Sequence, residues 1–179
     1  MKRDLQTISL FAGLVAIAAG CGQTNSQPQD VNAGAAAPHP FVLASEPAGA
    51  KDVDAVREQA KNKDDIVIVG RIGGPKPWIN GRAAFSIVDR SRTPCNEIEG
   101  DKCPTPWDYC CEADLPKSMA FVTFVDQNGK LIGTDARQML HVKELQTVVI
   151  RGKAKRDSDG NLTVVATGIY LRPTTTHDE

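Results

Sequence analysis

The chain has 179 residues, and 21 basic against 22 acidic side chains leave a formal net charge of −1. A near-neutral protein has no global field to draw polyanions, so any anion-binding surface has to be local. Five cysteines stand out in the composition, and all but Cys21 fall within residues 95–111.

Lys2 and Arg3 precede an uncharged, mostly apolar run from Ile8 to Ala19. It is too short to cross a bilayer as a mature helix but suits the apolar region of a secretory signal. The run ends in Ala18-Ala19-Gly20-Cys21, which resembles the lipobox of bacterial lipoproteins, with Ala18 where that family usually has Leu. The resemblance implies cleavage after residue 20, acylation of Cys21 and a membrane anchor, because several acyl chains exceed what stable anchoring needs. Gly22, in place of an inner-membrane retention Asp, leans the expectation towards the outer membrane, with the protein facing the periplasm. Export also places the chain where disulfides persist.

Residues 21–50 are rich in Gln, Asn, Ala, Gly, Ser and Pro and read as a flexible tether, with His39 a solvated residue between two prolines. Residues 51–173 remain for one domain, roughly 120 residues and enough for its own core. KDVDAVREQAKN (51–62) predicts a short helix with Val53 and Val56 on one side. IVIVGRIG (66–73) predicts a buried strand, and RAAFSIVD (82–89) a second one that turns Ala83, Phe85 and Ile87 to one face. The cysteine segment follows, then a third strand, MAFVTFVD (119–126), with an Asn128-Gly129 turn after it. TDARQMLHVKEL (134–145) predicts a helix capped by Thr134 or Asp135, and TVVIRGKAK (147–155) and LTVVATGIYLR (162–172) close the domain as two strands around a polar turn. In the fourth strand Val148, Ile150, Gly152 and Ala154 share one face while Arg151, Lys153 and Lys155 share the other. The tail 174–179, with His177, reads as disordered.

The expected fold is therefore mainly β. Five strands with a helix between the third and fourth, together with VVIRGKAKRDSDGNLTVVATGIYL, resemble the OB-fold, a five-stranded Greek-key barrel, with an added N-terminal helix and a cysteine-rich loop between strands two and three. A small β-sandwich or SH3-like barrel is the competing architecture, and the helix at 134–145 favours OB. Such barrels bind oligonucleotides, glycans or proteins, and one is the haem chaperone of cytochrome c assembly. The chaperone needs a His four residues before a Tyr, and Ala166 stands four before Tyr170, so that reading is rejected. Nucleic-acid or anionic-glycan binding would use Arg151, Lys153 and Lys155, but the aromatic platforms it also needs are scarce, with Phe124 and Tyr170 the obvious candidates.

CNEIEGDKCPTPWDYCCE (95–112) spaces its thiols as Cys-x7-Cys-x6-Cys-Cys. There is no Cys-x2-Cys of a zinc ribbon or thioredoxin and no c-type haem site. Two disulfides are the leading expectation, given the compartment and the even number. A vicinal Cys110–Cys111 bridge is disfavoured because adjacent Cα atoms lie about 3.8 Å apart, below the usual ~4.4–6.8 Å. Two pairings stay open: Cys95 with Cys110 and Cys103 with Cys111, or Cys95 with Cys111 and Cys103 with Cys110. The alternative is a thiolate metal site on the same four residues, for copper(I) before zinc, because adjacent cysteines strain four-coordination while copper accepts two or three thiolates. Trp107 and Tyr109 lie between the thiols and either cover one end of the barrel or offer a rigid aromatic contact to a partner protein.

No nucleophile elbow, zinc-protease or phosphate-loop motif occurs, and His141 lacks an evident catalytic partner, so the chain reads as non-enzymatic and without a required cofactor. The sequence-level expectation is a membrane-tethered binding or envelope-assembly module with a stapled loop.

Overall fold

The computed structural model describes residues 38–173; the expected signal peptide, Cys21, the tether as far as residue 37 and the tail 174–179 lie outside the described residues. Strand β1 (Lys51–Asp52) runs into helix α1 (Val53–Gln59), followed by β2 (Asp65–Ile72), β3 (Ala84–Val88), β4 (Met119–Phe124), α2 (Ala136–Leu140), β5 (Thr147–Arg156) and β6 (Leu162–Leu171). Neighbouring strands run β2-β3-β4-β6-β5, and β5 returns to β2, so five strands close a barrel. Only β4 and β6 pair in parallel within it. β1 adds a short parallel extension beside β2. A three-strand meander, a helix and a closing hairpin is the OB-like arrangement expected from the sequence.

The reason lies in the period-2 pattern. In β5, Val148, Ile150, Gly152 and Ala154 are buried while Arg151, Lys153 and Lys155 are exposed. The inward side chains meet Ile68, Ile72, Phe85, Ile87, Phe124, Val164 and Ile169 in one core, to which α1 adds Val53 and Val56 and α2 adds Met139 and Leu140. The β5–β6 register slips between Arg151 and Gly152, and a side chain at Gly152 would run into the Val165 carbonyl, so only glycine lets the two strands close here.

Helix α2 is shorter than the sequence suggested. Asp135 caps it, accepting from the Arg137 backbone N–H at 3.0 Å, and His141 ends it in a left-handed conformation with φ of 54°. The Arg137 guanidinium donates to the same carboxylate at 2.7 and 2.9 Å and, with further backbone N–H donors, holds Asp135 far below the usual carboxylate range. Residues 41–43, expected to belong to the tether, lie against the barrel. The Leu43 N–H donates to the Ile169 carbonyl, the Ile169 N–H donates to Phe41, and the Phe41 ring meets Phe124 edge-on at 5.0 Å. Three apolar residues in an otherwise polar stretch, Phe41, Val42 and Leu43, are enough to seat the chain along β6 before residue 50.

Strand β3 departs from simple alternation, since all five of its residues are buried. On its outer face Ser86 is hydrogen-bonded to Gly73 and Pro77 of the preceding loop, and Val88 packs against Tyr109 and Leu115 of the segment that holds the cysteines.

Candidate functional site: the cysteine lobe

The 30-residue connection from Asp89 to Ser118 starts and ends at one point, where the Asp89 N–H donates to the Ser118 carbonyl at 2.9 Å. Asp89 is buried, and its carboxylate accepts from the backbone N–H groups of Ser91 (2.9 Å) and Asp54 (2.8 Å). The second bond caps α1 from across the fold, because Asp52, the helix's own N-cap, makes no side-chain cap and instead pairs with Arg90 at 2.6 Å. Burial opposes ionisation of Asp89, but these backbone donors and the charge of Arg92 outweigh it and lower the pKa. Arg92 ties the base of the lobe together, reaching Ser118 Oγ at 3.0 Å, Asp54 at 3.2 Å and Glu112 at 3.7 Å.

Above this base the lobe folds back on itself. A 3₁₀ turn over Cys95–Glu97 lies against residues 105–108, with the Cys95 N–H donating to Asp108 at 2.8 Å and the Asn96 N–H to Pro106 at 3.1 Å. The sequence suggested a loop without apolar support of its own; the structure gives it a small core of Val88, Tyr109 and Leu115, with Met119 packed against it. Tyr109 is 1% exposed, which removes it from any partner-contact surface. Its ring fits because residue 73 is glycine. A Cβ there would lie 2.8 Å from the ring and 2.9 Å from the Trp107 carbonyl. Burial pushes the Tyr109 phenol up to about 12, and its hydroxyl is buried without a hydrogen-bond partner. Trp107 is half-buried, its carbonyl accepting from the Gly74 N–H at 3.0 Å. A salt bridge of 2.6 Å from Arg71 on β2 to Glu97 adds a tether at the lobe's edge.

This scaffold brings thiols together. Cys95, Cys103 and Cys110 converge, their sulfurs all within 4.8 Å of one another. The Cys95 and Cys110 sulfurs are 3.3 Å apart. Cys111 Sγ stands outside the trio, exposed and 4.0 Å from Cys110 Sγ. All four thiols are free, so the two bridges expected from the sequence are not formed. Cys103 turns instead to Thr105, its sulfur 3.3 Å from Thr105 Oγ1. Exposure rises across the group: Cys95 is buried, Cys103 half-buried, Cys110 exposed. Burial, reinforced by the Cys110 thiol, pushes Cys95 up to about 12, whereas the Thr105 hydroxyl and backbone draw Cys103 down.

The chemistry of this donor set is specific. Three thiolates bound at about 2.3 Å to one ion stand about 3.8–4.0 Å from each other, and the trio needs adjustments of under about an ångström to reach that spacing. Zinc in a structural site takes four ligands. The fourth cysteine, Cys111, has its sulfur 4.0 Å from that of Cys110 but does not join the trio, and among the described residues only these three form a metal-ligating cluster. A trigonal, all-sulfur site matches a soft ion such as copper(I) better than zinc.

The cationic row on β5 is placed as the alternation required, but Lys153 is paired with Asp65 at 2.8 Å, while Arg151 lines an open cleft of ≈ 830 Å³ beside α1. Phe124 is fully buried and unavailable for stacking, and Tyr170 is half-buried. Sequence reasoning missed the Asp89–Asp54 contact, which joins residues 35 positions apart, and had no local signal for it. It also missed Gly73, whose only clue was its place in a Gly-Gly pair after a strand. No protein-family model matches the chain, and no curated protein matches it.

Proposed function

We propose that the protein is a non-enzymatic lipoprotein of the bacterial cell envelope, anchored through acylated Cys21 and facing the periplasm, whose barrel carries a thiolate site for a soft metal ion. Copper(I) is the first choice and zinc the second, with storage or delivery of the ion as the role. The observation that carries this reading is the convergence of Cys95, Cys103 and Cys110 from a 16-residue span, with Cys111 excluded. The lobe's ion pairs, its small core and the Gly73 contact all fix the two strands of chain that supply these sulfurs.

The test is metal stoichiometry. The full chain, reduced and loaded anaerobically with copper(I) in the presence of a competing chelator, retains close to one ion per chain. Cys103→Ser lowers the affinity by roughly tenfold or more, in line with the loss of a tuned ligand. Retention of copper by Cys103→Ser at the wild-type affinity contradicts the reading.

A further inference from the structure

We propose that Cys110 and Cys95 also form a dithiol couple that exchanges with external disulfides, Cys110 as the attacking sulfur and Cys95 as the resolving one. The proposal stands on the arrangement of the two sulfurs and does not depend on the metal reading, although both draw on the same residues.

Their sulfurs are in contact at 3.3 Å, closer than the 4.0 Å that separates Cys110 from Cys111. Cys110 is exposed, so an incoming disulfide reaches it, while Cys95 is 2% exposed and shielded from the same reagent. Cys95 is held in place through its backbone N–H on Asp108, two residues before Cys110, so the two chain segments stay in register while the sulfurs react. Cys111 is adjacent in sequence to Cys110, and a bridge between neighbours is geometrically poor. Cys103 is engaged with Thr105. Of the two pairings the sequence left open, the structure favours the one that joins Cys95 to Cys110.

The exchange balances without a further reagent. The Cys110 thiolate attacks one sulfur of a small-molecule disulfide such as oxidised glutathione. Its S–S bond breaks, and one thiolate leaves with the bonding pair, taking up the proton that Cys110 released. Cys95 Sγ then attacks the Cys110 sulfur of the mixed disulfide; the bond from Cys110 to the external sulfur breaks, and that sulfur leaves with the bonding pair and takes up the proton Cys95 gives up. Two protein thiols are oxidised and the external disulfide is reduced to two thiols. In the bridged form two of the three sulfurs in the trio are no longer thiolates, so oxidation also disables the proposed copper site.

The test uses the full chain, reduced and metal-free, treated with oxidised glutathione, quenched with acid and mapped by peptide mass spectrometry. The wild type yields a Cys95–Cys110 bridge and no bound glutathione. Cys95→Ser, shown to be folded by an unchanged β spectrum, traps one glutathione on Cys110, and Cys110→Ser loses the bridge. Cys111→Ser behaves as wild type. A principal bridge between any other pair, or failure of Cys95→Ser to hold glutathione on Cys110, overturns the couple. Copper stoichiometry of the reduced wild type is measured on the same preparation: loss of copper binding with the bridge intact removes the metal reading alone, and the converse removes the couple alone.

Discussion

The barrel and the cysteine lobe are built by opposite means. The barrel's order comes from long-range pairing of strands around a single apolar core that includes Phe85, Phe124, Ile150 and Ile169. The lobe makes no regular strand or α-helix, and its order comes from two 3₁₀ turns, Cys95–Glu97 and Leu115–Ser118, a handful of backbone bonds, five ion pairs and a four-residue apolar contact centred on Tyr109. A region held this way opens locally at far smaller cost than the domain unfolds, which suits a site that must admit and release a ligand. In the proposed reading the barrel supplies rigidity and the lobe supplies the chemistry.

The largest effect separating the two regions falls on the barrel. Phe124→Ala empties a fully buried position and is expected to cost about 3–5 kcal/mol in denaturant unfolding, with cooperative loss of the β signal. The matching change in the lobe is Gly73→Val, which drives a side chain into Tyr109 and the Trp107 carbonyl. Overpacking of this kind costs about 1–3 kcal/mol. It is expected to free the lobe for proteolysis between residues 95 and 112 and to weaken metal retention while the barrel's spectrum persists. If both substitutions unfold the whole domain together, the two regions are one cooperative unit and the comparison fails.

Asp89 sits at the seam. Its folded pKa is depressed, so its contribution is present above the ordinary carboxylate value of about 3.8 and is lost as pH falls through the lower folded value. Asp89→Asn is expected to lower stability at neutral pH by roughly 1–2 kcal/mol, the cost of weakened bonds to the Ser91 and Asp54 N–H groups. It should also flatten the acid limb of a stability–pH curve relative to wild type. Equal acid sensitivity in the two proteins counts against the assignment. The smallest effect belongs to Glu97→Gln: its pair with Arg71 is partly exposed, so the change is expected to be under about 1 kcal/mol and to leave copper retention intact.

The sequence made the barrel legible because each strand carries its own evidence. Alternation in residues 147–155 and the β-branched run at 66–72 state which face is inward without reference to any other part of the chain. The lobe offered only its thiols. Neighbour geometry argued only that Cys110 and Cys111 are poorly placed to share one ion; all four cysteines were expected in the site, and which of the two neighbours stands outside the trio was not legible. That Tyr109 would be buried depends on the missing side chain at Gly73, 36 residues earlier, and no local pattern encodes it. The same holds for Asp89 capping α1 across the fold. Residues 41–43 were hidden for a different reason, being three apolar side chains inside a stretch whose overall composition suggested a tether.

The central claim is that three sulfurs, and only three, make the site. Sulfur-coordination analysis by X-ray absorption of the copper(I)-loaded full chain tests it directly, with wild type and Cys111→Ser compared. The account predicts three sulfur neighbours at roughly 2.3 Å in both proteins, the length typical of a metal–thiolate bond. Loss of a sulfur neighbour in Cys111→Ser, or two-coordinate copper in the wild type, contradicts it.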